Sequence, residues 1–151
     1  MPESAEPGDV LARRHRRCAS ALADFSLLVV EEHTTLSRAD AALEVDRLVR
    51  LVLEELHAAE TTVLDALTGT GRRRSAARLL GGRLDRLRRA GSEVGAAMRA
   101  GDVLALRRVV TRFDALSRAA CAVQLDVYGS AARSSYRGAP PGPTLAGRPG
   151  R

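Results

Sequence analysis

The sequence predicts an all-α protein: an up-down-up-down antiparallel four-helix bundle over residues 9–136, followed by a disordered Pro/Gly/Arg tail over residues 137–151. Apolar residues recur at spacings of three and four along four long stretches. They are mostly Ala, Leu and Val, and aromatic residues make up only 3% of the chain, which suits close-packed helices better than sheets. The connections are short, so consecutive helices should be antiparallel neighbours.

Cap signals delimit the first two predicted helices. Asp9 is the predicted N-cap of the first helix, which runs to about Leu36. Ser37 and Asp40 have the spacing of a capping box, so the second helix should begin there and run to about Leu67. The predicted inward stripes are Leu11, His15, Cys18, Leu22, Phe25, Val29 and Leu36, then Val45, Val49, Val52, Leu56, Glu60, Val63 and Leu67.

The other two helices follow a polar loop at Thr68–Arg74. Ser75 is the predicted N-cap of the third helix, which closes at Ala100 and Gly101, and Asp102 is the predicted N-cap of the fourth. Glycines in the third helix weaken it or allow close helix contact; they are Gly81, Gly82, Gly91 and Gly95. The predicted inward stripes are Leu80, Leu84, Leu87, Val94 and Met98, then Leu106, Val109, Phe113, Leu116, Ala120, Val123 and Val127.

The second and fourth predicted helices repeat one another when Leu56 is aligned with Ala120. Each copy then carries one polar residue, Glu60 or Gln124, in an otherwise apolar stripe. An inward-facing polar side chain is where a helical bundle carries a ligand group. The residue one turn earlier, Leu56 or Ala120, cannot bind a metal, so the repeat indicates an architecture more strongly than an activity.

Three segments, DVLARRHRRC, LVLEELHAAETTVL and AAMRAGDVLALRRVV, resemble the first helix, second helix and third turn of hemerythrin-like four-helix bundles. The similarity covers roughly residues 9–133. In that family, histidines from all four helices and carboxylates one turn further on hold two irons for oxygen-related chemistry. The resemblance matches His15 to the first-helix histidine and Glu60 to the second-helix carboxylate. The other matched positions are replaced: Leu56, Arg83 and Ala120 stand for histidines and Gln124 for a carboxylate.

The resemblance therefore implies a degenerate metal site. One imidazole and one carboxylate are too few donors for iron, so we expect no cofactor. The alternative is a non-haem iron site, in which a one-residue shift adds His57 to His15 and Glu60. A further hypothesis is that Arg83 replaces the metal and pairs with Glu60. Reflection through the predicted turns puts the four histidine-equivalent positions in one slab, with the two carboxylate-equivalent positions about one turn beyond.

All 24 basic residues are Arg, and the net charge is +6. The absence of Lys, Asn and Ile is typical of a GC-rich genome, so the Arg usage does not by itself indicate phosphate recognition. The predicted topology nevertheless gathers arginines at one end of the bundle, which we call the Arg-rich pole. A positive end of this kind predicts binding of an acidic protein or a nucleic acid. Its residues are Arg13, Arg14, Arg16, Arg17, Arg72, Arg73, Arg74, Arg78, Arg133 and Arg137.

The sequence shows no nucleophile paired with a base, no Gly-rich phosphate loop and no paired catalytic carboxylates, so enzyme activity is not expected. The acidic N-terminus predicts no signal peptide, and Phe25–Val30 is too short to cross a bilayer, so the expected location is cytoplasmic. Cys18 and Cys121 are interpreted as small buried hydrophobic residues in a reducing compartment. We expect a non-catalytic binding or regulatory module with an unidentified partner. The alternatives are an iron- or oxygen-binding protein and an Arg-rich nucleic-acid- or acidic-partner-binding protein; a second apolar face would allow a homodimer.

Overall fold

The computed structural model describes residues 4–30 and 37–137, and the predicted all-α fold is confirmed. The described residues contain no strand. Of the predicted tail over 137–151, only residue 137 is described, and it belongs to the fourth helix. The rest of the predicted tail lies outside the described residues. The helices are α1 (Pro7–Val30), α2 (Arg38–Ala66), α3 (Arg73–Ala100) and α4 (Val103–Arg137).

The four helices pack as an antiparallel ring in which each contacts its two neighbours. The α1–α2 and α3–α4 hairpins have the most extensive interfaces, and the α4–α1 interface is the least extensive of the four. One diagonal of the ring is closed, because α2 and α4 touch, whereas α1 and α3 make no contact in the part of the chain that is described. The two helices that repeat one another in sequence, α2 and α4, therefore meet across the bundle.

The core consists of two clusters of buried apolar side chains. In the larger one, the rings of Phe25 and Phe113 join α1 to α4 edge to face, with centroids 5.7 Å apart. The smaller one lies where the start of α1, the end of α2, the start of α3 and the end of α4 meet. The predicted gathering of these four helix ends at one pole is thus confirmed. The smaller cluster comprises Leu11, Ala59, Val63, Leu67, Ala76, Leu80 and Ala131.

The start of α1 differs from the prediction. The helix begins at Pro7, and the carbonyl of Glu6 accepts hydrogen bonds from the amides of Asp9 (2.9 Å) and Val10 (3.1 Å). Asp9 is therefore not the N-cap. Proline suits the first helical position because it has no N–H to leave unpaired, and Asp9 lies in the first turn, where a carboxylate favours the helix dipole. The predicted end at Leu36 lies outside the described residues.

The caps predicted for α2 and α4 are confirmed. The amide of Asp40 donates to the hydroxyl of Ser37 at 3.1 Å, and the amide of Ala105 donates to the carboxylate of Asp102 at 3.0 Å. Gly101 ends α3 in the left-handed region, at φ 68°, which a residue with a Cβ rarely adopts.

The cap predicted for α3 is wrong. The helix begins at Arg73, two residues before Ser75, and no side chain caps it. The Ser75 hydroxyl instead donates to the carbonyl of Arg72 at 3.0 Å. A serine in the first helical turn satisfies its hydroxyl locally in this way, and such a residue resembles an N-cap in sequence.

The buried face of α4 is rotated relative to the predicted stripe. Phe113 and Ala120 are buried as expected, and Ser117 is buried between them because its hydroxyl donates to the carbonyl of Phe113 at 2.8 Å. A buried hydroxyl is tolerated when it has such a partner. Several residues predicted to face inward are only half-buried: Leu106, Val109, Leu116, Val123 and Val127.

One glycine of α3 allows the close helix contact that the sequence predicts. A Cβ at Gly91 would lie 2.9 Å from Cγ1 of Val49 on α2 and 3.6 Å from Cε2 of Phe113 on α4. Val49 is β-branched, so its side chain cannot easily turn away within a helix. At Gly82, by contrast, an added Cβ would meet nothing within 4 Å.

We therefore expect Gly91→Ala and Gly82→Ala to have opposite effects on the free energy of unfolding. Gly82→Ala should raise it by about 0.5–1 kcal/mol through helix propensity. Gly91→Ala should lower it, because overpacking costs about 1–3 kcal/mol and outweighs the same propensity gain. Urea denaturation of both variants measures the difference. Equal stabilisation by the two substitutions would contradict the close packing at Gly91.

Candidate functional site

A chain of hydrogen bonds crosses the interior and links three helices. Nε2 of His15 on α1 lies 2.7 Å from Oε1 of Gln124 on α4, and Nε2 of Gln124 donates to the carbonyl oxygen of Leu56 on α2 at 2.9 Å. The Leu56 carbonyl can only accept, which fixes the orientation of the Gln124 amide. His15 therefore donates from Nε2. Gln124 is 2% exposed, so both ends of its buried amide are paired inside the protein.

The layer that these residues form differs from the predicted slab. Gln124 lies level with His15 and Leu56, rather than one turn beyond them. His15 and Leu56 are level, as in the predicted slab, so the difference lies in α4, which presents Gln124 at this level instead of Ala120. The Cys18 thiol donates to the carbonyl of Val52 at 3.6 Å, which agrees with this register of α1 against α2.

Glu60 lies half-buried one turn from this layer. A Cβ at Gly81 would be 3.9 Å from Oε1 of Glu60, so the bare backbone of α3 lies beside the carboxyl group. Burial raises the pKa of Glu60, and the nearby Asp85 raises it further, whereas His57 and Arg88 act in the opposite direction. The fold therefore favours the protonated form of Glu60.

The predicted ion pair between Glu60 and Arg83 is not formed. It is absent from the ion pairs of the described ranges, and Arg83 is not among the charges that shift the pKa of Glu60. Nε of Arg83 is buried without a hydrogen-bond partner among the described residues. The residue of α3 that lies beside the carboxyl group is Gly81, not Arg83.

The alternative metal ligands do not come together as a metal site. His15 is engaged by Gln124, and His57 is exposed on α2. Across residues 4–30 and 37–137, no three His, Cys, Asp or Glu side chains form a group that could hold a metal ion. The donors present therefore do not fit iron, which needs several nitrogen or oxygen ligands in fixed geometry. Leu56 and Ala120, the replaced histidine positions, are both buried.

A buried carboxylate that the sequence analysis did not single out links α1 to α2. Glu55, whose side chain is 8% exposed, lies between Nη1 of Arg14 (3.1 Å) and Nη1 of Arg17 (3.4 Å). Two arginines assigned to the Arg-rich pole are thus paired within the fold. A buried carboxylate needs such partners because an unpaired charge is costly to remove from water. The spacing of Arg14 and Arg17, one turn apart on α1, was the available signal.

The start of α3 and the end of α4 form the core of the Arg-rich pole. Nη1 of Arg72 donates to the Ser134 hydroxyl of α4 at 3.1 Å, and Arg73 reaches Asp65 of α2 at 3.8 Å. Four further arginines are exposed and make no ion pair with other described residues. They are Arg13, Arg16, Arg74 and Arg78. Arg133, also exposed, donates to the Ser130 hydroxyl at 3.3 Å.

A largely apolar groove of about 430 Å³ opens between α3 and α4 at this pole. Leu67 and Ala76 lie in its buried part, and Leu79, which is 48% exposed, flanks it. Arg72 and Asp126 supply its charged lining. Apolar surface and exposed guanidinium groups therefore lie side by side, an arrangement that suits an acidic ligand carrying apolar side chains.

Comparisons of the chain with protein-family models, with curated proteins and with solved structures found no match in any of the three. None of the described helices combines the length and apolar character that a bilayer span requires.

The raised pKa of Glu60 predicts the effect of Glu60→Gln. Since the folded state holds the proton more tightly than the unfolded state, the free energy of unfolding should fall as pH rises from the ordinary carboxyl range through the raised pKa. Glu60→Gln should remove this loss, so the variant should be more stable than wild type near about pH 7 and similar to it near about pH 4. Thermal unfolding at both pH values measures this.

The matched control is Glu54→Gln, because Glu54 is exposed on the same helix; it should change stability little at either pH. If Glu60 held a metal, Glu60→Gln would instead lower both stability and the iron content of protein purified from iron-supplemented cells. That result would contradict the cofactor-free interpretation.

Proposed function

We propose that this protein is a hemerythrin-like helical bundle that has lost its metal site and acts as a non-catalytic binding module for an acidic protein partner. The observation that carries the binding proposal is the Arg-rich pole, where Arg72 lines the apolar groove between α3 and α4 and the same helix ends carry further exposed arginines that make no ion pair with other described residues. The partner that fits is a segment with carboxylates and apolar side chains.

The interior supports a role without a cofactor. In a working metal site, buried polar side chains would point their donor atoms at the ion. Gln124 instead directs its amide oxygen to His15 and its amide nitrogen to the carbonyl of Leu56. Both groups are satisfied by the protein, and Gln124 has no charge with which to attract a cation.

The surface supports a protein partner over a nucleic acid. Arg74, Arg78 and Leu79 are all exposed within the first two turns of α3, so this helix end offers a ligand both positive charge and apolar surface. Single-stranded nucleic acids are usually held by exposed aromatic side chains on which bases stack. Phe25 and Phe113 are buried in the core, and the residues that line the groove include no aromatic one.

Large apolar side chains are also exposed at the end of the bundle opposite the Arg-rich pole. Homodimer formation through these side chains stays a prediction, and the surface involved is separate from the proposed partner site. The side chains are Leu27, Leu43, Val103 and Leu104.

Binding of a defined probe tests the proposal. We expect a fluorescent peptide of Glu and Leu to bind, and Arg74→Gln combined with Arg78→Gln to weaken it by about fivefold or more, since two surface charge contacts contribute about 1 kcal/mol together. The matched control, Arg107→Gln with Arg108→Gln, removes two exposed arginines at the start of α4 and should weaken binding less than about twofold. Fluorescence anisotropy at fixed ionic strength measures both.

Leu79→Ser should also weaken binding of the Glu–Leu peptide and leave binding of an all-Glu peptide unchanged, because only the Glu–Leu peptide has apolar side chains to place in the groove. Tighter binding of a DNA duplex than of the peptide would support the nucleic-acid alternative and overturn the proposal. Equal losses for the two double variants, or no peptide binding at low salt, would overturn it as well.

A further inference from the structure

The two cysteines of the chain are neighbours in the fold. Cys18 is buried on α1, Cys121 is half-buried on α4, and both belong to the same apolar cluster. Both are free thiols, and they lie close enough for each to shift the pKa of the other. The sequence places them more than a hundred residues apart, so the interpretation as two unrelated hydrophobic residues missed this contact.

The register of α1 against α4 fixes the pair. The helices are antiparallel, and the contact of His15 with Gln124 sets them level. Three residues further along α1 is Cys18, and three residues back along α4 is Cys121. On the other side of the pair, Phe25 meets Phe113. The two thiols are thus held between a hydrogen bond and a ring contact that join the same two helices.

The two thiols differ in acidity and exposure. Hydrogen bonding by the Cys18 thiol to a negatively charged Cys121 sulfur, together with Arg118, lowers the pKa of Cys121. The same interaction, burial and the charge of Glu55 raise the pKa of Cys18. The nucleophilic form of a cysteine is its thiolate. Cys121 is therefore expected to react first with an oxidant from solvent, and Cys18 to react second.

We propose that Cys18 and Cys121 form a redox-sensitive pair that a hydroperoxide oxidises to a disulfide joining α1 to α4. The Cys121 thiolate attacks one peroxide oxygen: the S–O bond forms, the O–O bond breaks, and the departing oxygen leaves as an alcohol, or as water from hydrogen peroxide, after taking a proton. The Cys18 sulfur then attacks the sulfur of the sulfenic acid on Cys121. The S–S bond forms, the S–O bond breaks, and the leaving hydroxide takes the Cys18 proton and departs as water.

The disulfide would close the least extensive interface between neighbouring helices of the ring, the one between α4 and α1. It also constrains the unfolded chain over a long loop, which stabilises the folded state. A dithiol returns the pair to the reduced form by thiol–disulfide exchange. Oxidation of Cys18 and Cys121 and binding at Arg74 and Arg78 involve different residues, so either can fail without the other.

Peptide mapping after oxidation tests the proposal. Reduced protein is treated with hydrogen peroxide, its remaining thiols are alkylated, and it is digested with trypsin without reduction. Cleavage after Arg17, Arg38, Arg118 and Arg133 releases residues 18–38 and residues 119–133. We expect these peptides to be joined, with the loss of two hydrogens from the monomer, and to separate after treatment with a dithiol.

The single variants separate the two steps. In Cys18→Ala, Cys121 should stop at the sulfenic acid and be captured by dimedone. In Cys121→Ala, the buried Cys18 should stay reduced for longer than Cys121 does in wild type. The folded protein should also form the bridge at least about tenfold faster than the same chain in concentrated urea, because the fold raises the effective concentration of the two thiols.

Several results would overturn the proposal. One is that both thiols are alkylated as fully after peroxide treatment as in untreated protein. Another is that the only disulfides formed join two chains. A bridge that forms as fast in urea as in the folded protein would show that the helix register does not position the pair.

Discussion

The side-chain amide of Gln124 lies at the centre of the bundle and bonds to two other helices, accepting from His15 on α1 and donating to the Leu56 carbonyl of α2. A buried amide left unpaired would cost about 1–3 kcal/mol. Only one rotation and level of α4 satisfies both of its ends. The same position of α4 puts Cys121 level with Cys18 on α1. It also brings α4 into contact with α2 across the bundle.

A second polar contact, between Glu55 and the arginines Arg14 and Arg17, holds α1 to α2 in a compatible register. These contacts engage Nε2 of His15, the amide of Gln124 and the carboxylate of Glu55 within the protein. Glu60 is left beside the bare backbone of Gly81, where burial favours its protonated form. A raised pKa makes a carboxyl group a weaker ligand, because metal binding requires the deprotonated form.

The sequence predicted much of this architecture, since helix number, most helix ends and the core faces of α2 and α3 follow from periodicity and cap residues. It also identified His15, Leu56 and Gln124 as positions of interest. It could not predict that they touch, because that depends on the level and rotation of α4 against α1 and α2, which the periodicity within each helix does not determine. The buried face of α4 was missed because Ser117 is polar and was expected to face solvent. Its hydroxyl donates to the carbonyl of Phe113, which allows the side chain to be buried. The pairing of Cys18 with Cys121 likewise depends on the register of two helices that are distant in the chain.

The coupling between His15 and Gln124 tests the central interaction most directly. A double-mutant cycle with His15→Leu, Gln124→Met and the combined variant, followed by urea denaturation, isolates their mutual contribution from the separate cost of each substitution. We expect a favourable coupling of about 1 kcal/mol or more between the two side chains. Additive effects of the two substitutions, with no coupling, would contradict a bundle organised around the Gln124 amide.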